Sequence, residues 1–185
     1  MKTICFVLTI CLMSVAGGCG TTKVFVKDDS LFAGKIAVMD FEYQPAKDAH
    51  ELLYGATWTM KAGETIADQI ANSLFGYGVD VKRIPLSDEV KNLCEKAEYK
   101  KIGEMLGVDY IIFGTVNEHG AVGITGIVRG FSSFSLRCVT IETGKVAWST
   151  AVSGSSFYSS PTTISSKQSE KVVEKLMKRI MGVRS

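Results

Sequence analysis

Lys35-Ile36-Ala37-Val38-Met39-Asp40-Phe41 is the stretch of sequence that decides the fold, and Gly34 directly precedes it. Its apolar residues form a nearly continuous run instead of alternating with polar ones. Such a run is typical of a strand that is covered on both faces of a sheet. We therefore predict a central strand here. Asp109 to Val116 is a second run of the same kind and predicts a second buried strand.

Helical periodicity appears between these two strands. Ile66, Ile70 and Leu74 lie four residues apart, which predicts a helix with one apolar face against the sheet. Ser87 is a suitable N-cap for a second helix, and Gly107 is suited to end a third. The predicted elements of this region are a helix over Gly63–Leu74, a strand over Val79–Ile84, a helix after Ser87 and a helix over Tyr99–Leu106.

The second half of the chain has the pattern of an antiparallel meander. Asn117 to Ile141 is extended and rich in glycine, and Phe134, Leu136 and Cys138 alternate with polar residues as in a half-buried strand. Thr143-Gly144 predicts a turn into a partner strand. The further predictions are a partner strand over Lys145–Val152, a polar loop over Ser153–Thr163, a last helix with a capping box of Ser165 and Gln168, an apolar stripe of Val172, Val173, Leu176, Met177 and Ile180, and an end at Gly182.

This order of elements predicts the fold class and the domain organisation. Buried strands, interspersed helices and a closing meander are typical of an α/β domain in which helices flank a mixed β-sheet. We predict three segments: a signal peptide over 1–18, a lipidated cysteine and tether over 19–34, and a single domain over 35–182. Val24-Phe25-Val26 predicts one short extended segment within the tether.

The first nineteen residues have the pattern of an export signal. Lys2 precedes an apolar run from Ile4 to Val15, and small residues come directly before Cys19. The run is too short for an ordinary spanning helix, which needs about 20 apolar residues. An ordinary secretory signal also ends in small residues, so lipidation and simple secretion are both open from the pattern itself.

Ala16-Gly17-Gly18-Cys19 resembles the bacterial lipobox, with Ala16 where that motif usually has Leu, Val or Ile. The resemblance implies cleavage between Gly18 and Cys19, a diacylglycerol thioether on Cys19 and an N-acyl chain on the freed amine. Gly20 takes the place of the aspartate that favours the inner membrane. We therefore expect a lipid anchor at the periplasmic face of the outer membrane, with membrane lipid as a partner through Cys19.

Charge and cysteine content exclude several classes of function. The formal net charge of +2 predicts neither nucleic acid nor acidic substrates as partners. Cys94 and Cys138 are the cysteines left beyond residue 19. They could form a disulfide in an oxidising compartment, but two separate buried thiols are the favoured interpretation.

A search for catalytic and cofactor motifs returns no nucleotide-binding loop, nucleophile elbow or zinc motif. We predict no catalytic residue, no metal site and no cofactor beyond the covalent lipid. Asp40 and Glu42 follow the first strand, where α/β sheets often hold ligands, but ion-pairing or capping roles are favoured. His50 is expected in a solvated loop and His119 on the surface of a turn. An envelope hydrolase acting through Asp40 and His50 is the least favoured alternative.

Several of these segments together resemble the CsgG family of curli secretion lipoproteins. The similar stretches are Gly34–Val38, Gly63–Leu74, Val81–Arg83, Gly114–Val116, Leu136–Val139 and Thr143–Val146. LpoB lipoproteins and the amino-terminal domain of TolB look similar as well. The resemblance implies a fold related to the anticodon-binding domain. In the channel-forming relatives each subunit contributes two hairpins to a pore, whereas this chain has room for one short hairpin.

Aromatic and apolar side chains in glycine-flanked loops are candidates for protein contacts. Trp58, Met60, Phe157 and Tyr158 are such residues, and the alternative is that they fold inward to seal the ends of the sheet. We expect a non-enzymatic assembly or adaptor component that binds envelope proteins or its own copies, as a homo-oligomeric ring in the latter case. The alternative function is a subunit of a reduced secretion channel.

Overall fold

The computed structural model describes residues 20–26, 34–43, 56–58, 61–124 and 127–181 of the 185-residue chain. The elements, in chain order, are β1 Gly20–Val26, β2 Ile36–Met39, β3 Glu42–Tyr43, β4 Ala56–Trp58, α1 Ala62–Gly76, β5 Val81–Ile84, α2 Asp88–Glu95, α3 Tyr99–Leu106, β6 Tyr110–Ile124, β7 Ile127–Thr140, β8 Val146–Phe157 and α4 Pro161–Ile180.

The strands form one mixed sheet in the order β1-β8-β7-β6-β2-β5, with β3 and β4 pairing to β6 beyond the end of β2. β2 is parallel to both β5 and β6, whereas β6, β7, β8 and β1 pair in antiparallel fashion. All four residues of β2 are buried. The predicted central strand and the predicted α/β fold with a mixed, helix-flanked sheet are therefore confirmed.

The two faces of the sheet are covered to different extents. On one face α1 and α4 pack against all the long strands, and the core there includes Ile66, Leu74, Phe134, Trp148, Val172 and Leu176. On the other face α2 and α3 cover a smaller core that includes Ala37, Met39, Val90, Ile102, Ile111 and Val139. The antiparallel strands extend beyond this smaller core.

Most helix ends lie where the sequence predicts them. The side chain of Ser87 accepts a hydrogen bond from the backbone N–H of Val90, so Ser87 is the N-cap of α2. α3 spans Tyr99–Leu106 as predicted, and Gly107 follows it in a left-handed conformation. Gly144 likewise has a positive φ of 65°, as the predicted turn requires.

The start of α4 differs from the prediction. Its N-cap is Ser160, whose Oγ accepts from the N–H of Thr163 at 3.0 Å, and Pro161 occupies the first turn. Ser165 and Gln168 are buried inside the helix and form no capping box. The apolar stripe is confirmed, since Val172, Val173, Leu176 and Met177 are buried and Ile180 packs beside them. Gly182 lies outside the described residues.

Three strands are longer than predicted. β1 occupies Gly20–Val26 in the predicted tether and pairs with β8 over its whole length, so this segment belongs to the sheet. β8 continues through Ser153–Phe157, which we predicted as loop. β6 continues to Ile124 and forms a hairpin of 15-residue and 14-residue strands with β7. That hairpin is longer than the short one that we predicted.

Candidate functional site

A cleft of about 520 Å³ opens at the carboxyl end of β2, between α2 and the uncovered part of the sheet. Leu86 and Cys94 line it on the helix side, and Met39, Phe113 and Arg137 line it on the sheet side. Carboxyl ends of parallel strands often hold ligands, so this cleft is a candidate for a ligand-binding or catalytic site.

The carboxylates in this cleft serve to hold α2 in place. Asp40 pairs with the guanidinium of Arg83, and its other oxygen accepts from the backbone N–H of Leu86 at 3.2 Å. Glu42 pairs with Lys91 of α2 at 2.7 Å. The predicted ion pairing is therefore confirmed for Asp40 and Glu42. His50, the proposed partner of Asp40 in a hydrolase, lies outside the described residues.

The two cysteines are free and lie on opposite faces of the sheet. Cys138 is buried in the larger core, whereas Cys94 is half-buried beside the smaller one. The interpretation as two separate thiols is confirmed. Burial raises the pKa of the Cys94 thiol to about 11, so at neutral pH it is protonated and weakly nucleophilic despite lining the cleft.

The uncovered part of the sheet is the main surface next to this cleft. We call it the open face and define it by Phe25, Phe113, Thr115, Ser135, Arg137 and Ser149, which the strand register places on one side. Phe25 is 60% exposed, and the guanidinium of Arg137 lies 4.5 Å from the centre of the Phe113 ring. The open face therefore combines exposed aromatic surface with short hydroxyl side chains and a cation.

Three of the four candidate contact residues, Trp58, Phe157 and Tyr158, lie toward one end of the sheet, which we call the hairpin end. It consists of the described residues at the end of β6 and the start of β7, the last residues of β8 with Tyr158, and the first residue of β1. Trp58 pairs with Gly120 of β6, so β4 also lies near this end. Phe157 is 41% and Tyr158 is 78% exposed, so these two rings do not fold inward. Met60 lies outside the described residues, as do Gly18 and Cys19.

His119 differs most from its prediction. We expected it on the surface of a turn, but it is fully buried under α4, with Nδ1 3.3 Å from Oγ of Ser132. Burial lowers the pKa of His119, because the charged form is poorly solvated there. A shift of register in β6 after Val116 precedes this residue. The bulge turns the side chain of His119 to the helix-covered face.

A cluster of polar side chains surrounds His119 beneath the first half of α4. We call it the polar interior and define it by His119, Ser132, Ser165, Gln168 and Ser169, all of which are buried. Gln168 donates to the carbonyl oxygen of Ser132 at 3.3 Å, and Ser165 donates to that of Thr162 at 3.0 Å. His119 Nε2, Gln168 Oε1 and Ser169 Oγ have no hydrogen-bond partner among the described residues.

Our sequence reasoning missed this polar interior because serine and glutamine are usually exposed. One local signal was available, since Ser160-Pro161 is a typical N-cap and first-turn pair. A helix that begins at this pair includes both Ser165 and Ser169. Because these residues are four apart, they lie on one side of the helix, with Gln168 beside them.

Comparison with solved structures identifies related folds. No protein-family model matches the sequence, and no curated protein does either. The subunit of the PelC dodecamer from Paraburkholderia phytofirmans is similar, with 19% identity and a TM-score of 0.65 over 85% of this chain and 97% of that chain. This chain therefore shares its fold with PelC.

Two further structures are more distant. Lipoprotein GNA1162 from Neisseria meningitidis has 17% identity and a TM-score of 0.49, over 78% of this chain and 98% of that chain. The LpoB C-terminal domain from Escherichia coli has 13% identity and a TM-score of 0.31, over 68% and 86%. Neither likeness is close enough to support an inference, and the CsgG resemblance remains a prediction. Among the described residues, no helix has the length and apolar character that crossing a membrane requires.

Proposed function

We propose that this chain is a bacterial lipoprotein of the CsgG-like type, anchored to the periplasmic face of the outer membrane. A diacylglycerol and an N-acyl chain on Cys19 would supply the anchor. In this proposal the protein catalyses no reaction and serves as an assembly component of the cell envelope, as a ring of its own copies. The single observation that carries the proposal is the open face.

The open face is suited to contact another subunit. In the described part of the chain, no helix covers the outer half of this side of the sheet, so Phe25 and the Arg137–Phe113 pair remain accessible. Exposed aromatic rings and arginine are the side chains that most often anchor protein interfaces. The printed description of PelC as a dodecamer supports a ring of identical subunits as the form of assembly.

The contents of the cleft support a role without catalysis. Asp40 and Glu42 are held in ion pairs with Arg83 and Lys91, so neither carboxylate is poised to accept a proton from a substrate. The thiol of Cys94 is held protonated by burial. These side chains fix α2 against β2, and thereby fix one border of the open face.

The proposal is tested by one substitution with a matched control. Phe25→Glu places a charge on the open face, whereas Phe75→Glu places it on α1, on the other side of the sheet, where Phe75 is 73% exposed. We expect light scattering after chromatography of the detergent-extracted, full-length protein to show an oligomer for wild type and Phe75→Glu. Phe25→Glu should be monomeric, because a buried unpaired charge is costly at an interface.

Two results would contradict the proposal. A wild-type protein that is monomeric after mild extraction would exclude the ring. Equal oligomers for wild type, Phe25→Glu and Phe75→Glu would show that the open face is not the contact surface. Electron microscopy of the extracted particle separates a ring that rests on the membrane from the alternative secretion channel.

A further inference from the structure

Strand β1 begins one residue after the predicted lipid attachment site. Gly20 is the first residue of β1, and it pairs with Gly154 of β8. The Cα atoms of residues joined by a trans peptide bond are about 3.8 Å apart. The peptide bond from Cys19 to Gly20 therefore joins the predicted attachment site directly to the first residue of β1, which lies at the hairpin end. A lipid on Cys19 would therefore be attached without linker residues between Cys19 and β1.

The register of the strands shows how far the hairpin end extends past this point. Gly154 pairs with Ser132, and both strands continue from there toward the β6–β7 turn. Phe157 lies three residues beyond Gly154, or about 10 Å, at roughly 3.3 Å per strand residue. Val128 lies four residues beyond Ser132, or about 13 Å by the same rise. Interfacial segments bury their apolar side roughly 5–10 Å into the membrane boundary, so both side chains are within reach of the lipid.

Arg129 is the one charged side chain on the described surface of the hairpin end, which also exposes large apolar side chains. No Asp, Glu, Lys or Arg lies between Glu118 and Arg129, or between Lys145 and Lys167. Val128 is 48%, Phe157 is 41% and Tyr158 is 78% exposed. Aromatic rings with a polar edge, such as that of tyrosine, are enriched at the interface of bilayers.

Tyr158 is held in an unusual conformation at this end. Its φ is 58°, and its backbone N–H donates to the carbonyl oxygen of Val128 at 2.8 Å. A bulky side chain adopts a positive φ at a cost, and such residues often mark functional positions. The hydrogen bond fixes the tyrosine beside the hairpin, so Val128 and Tyr158 form one surface.

Arg129 borders the first of these two uncharged stretches. It donates to Ser155 Oγ at 2.7 Å, and its guanidinium lies 5.6 Å from the centre of the Phe157 ring. Arginine binds phosphate groups well and keeps its charge in water while its stem covers apolar surface. Arg129 pairs with Phe157 in the strand register. From this position its guanidinium could contact the phosphate of a lipid headgroup.

We propose that the hairpin end lies in the bilayer interface, with Val128, Phe157 and Tyr158 in contact with lipid and Arg129 at the level of the headgroup phosphates. The inference rests on the proposed lipidation of Cys19, and it adds a fixed orientation of the domain. The opposite end of the sheet, with the turn at Glu142, faces away from the membrane.

The orientation is tested with single labelling sites on the full-length lipidated protein. Val128→Cys and Tyr158→Cys carry an environment-sensitive fluorophore in a Cys94→Ala background, and Glu142→Cys is the matched control at the opposite end. Each protein is reconstituted into vesicles of phosphatidylethanolamine and phosphatidylglycerol. We expect labels at Val128 and Tyr158 to shift to shorter wavelength, to lose iodide quenching several-fold and to be quenched by spin-labelled lipid, whereas the label at Glu142 stays in water.

Three results would overturn the inference. A label at Val128 or Tyr158 that stays fully accessible to iodide on lipidated, vesicle-bound protein refutes the orientation and leaves the proposed anchor intact. A label that is shielded from iodide but unaffected by spin-labelled lipid shows that a second copy covers this end. A mature protein without lipid on Cys19, as read by intact mass, removes both the inference and the proposed function.

Discussion

The two ends of the sheet have opposite compositions inside and outside. At the end that carries the turn after β7, the interior is apolar, with Trp148 against the helices, and the surface carries Lys35, Asp109 and Glu142. At the hairpin end the interior contains buried His119 and its polar neighbours, and the described surface exposes Val128, Phe157 and Tyr158 with Arg129 as its one charged side chain. Water-soluble domains usually resemble the first end. The hairpin end has a polar interior and exposed apolar side chains instead. This composition supports the proposed contact of its surface with lipid.

The same difference predicts how stability is distributed. Trp148 and its apolar neighbours fill the larger core, whereas the polar interior includes three buried side-chain atoms that have no hydrogen-bond partner in the part of the chain that the structure describes. The free energy of unfolding should therefore be more sensitive to truncation in the turn half.

Trp148→Ala should cause the largest loss of stability. The side chain is 1% exposed and lies in the larger core, in register with Cys138 of β7. Truncating a buried tryptophan leaves a cavity and costs about 3–5 kcal/mol. Urea denaturation, followed by circular dichroism, measures the change. A loss below about 1 kcal/mol, which is typical of a surface site, would contradict the account of this core.

Gly130→Ala should be clearly destabilising, although it adds only a methyl group in the hairpin half. A Cβ atom at Gly130 would lie 3.2 Å from the carbonyl carbon of Ser160 and in severe overlap with the carbonyl oxygen of Ser159. The start of α4 would have to move, and overpacking of this kind costs about 1–3 kcal/mol.

Gly123→Ala is the matched control for this prediction. Among the described residues, no atom beyond its two chain neighbours lies within 4 Å of a Cβ at Gly123, so the thermal midpoint of Gly123→Ala should equal that of wild type. Equal midpoints for both variants would show that α4 does not rest on Gly130.

Stability should fall as the pH is lowered, through His119. Burial lowers the pKa of His119 in the folded protein, so the unfolded chain binds the proton first as the pH falls below about 6.5. Stability is therefore lost from that pH downward, until the folded-state pKa is reached. His119→Gln should flatten the dependence of the urea midpoint on pH between neutral and mildly acidic conditions. An unchanged dependence would place the titrating group elsewhere.

Two serines of α4 should give the smallest effects and differ from one another. Ser160→Ala removes the N-cap bond to Thr163 and should cost about 1 kcal/mol. Ser169→Ala removes a buried hydroxyl without a partner among the described residues, so it should be neutral or slightly stabilising. Differential scanning calorimetry compares the two. A larger loss for Ser169→Ala would show that its hydroxyl is satisfied in solution.

The sequence predicts the turn half of the sheet better than the hairpin half. β2 and the apolar part of β6 are recognisable because both faces of these strands are buried, so their apolar runs are nearly continuous. The end of α3 can be predicted because Gly107, the residue that ends the helix, directly follows it in the sequence. In these elements the residues that specify the structure are neighbours in the chain.

The hairpin half depends on long-range pairing that local patterns do not show. The end of β8 is rich in serine and has no apolar alternation, yet it is a strand because β7 pairs with it as far as Arg129. Most of β1 resembles a linker in sequence. It is a strand because it pairs with β8 over its whole length. His119 was misplaced because the bulge after Val116 changes which face it occupies.

We have proposed that lipidated copies of this chain assemble with one another. Native mass spectrometry of the detergent-extracted protein can test both the assembly and the lipid in one measurement. The account predicts a particle of several identical chains, each beginning at Cys19 and each heavier than its peptide by a diacylglycerol and an acyl chain. A single chain that retains residues 1–18 and carries no lipid would contradict it.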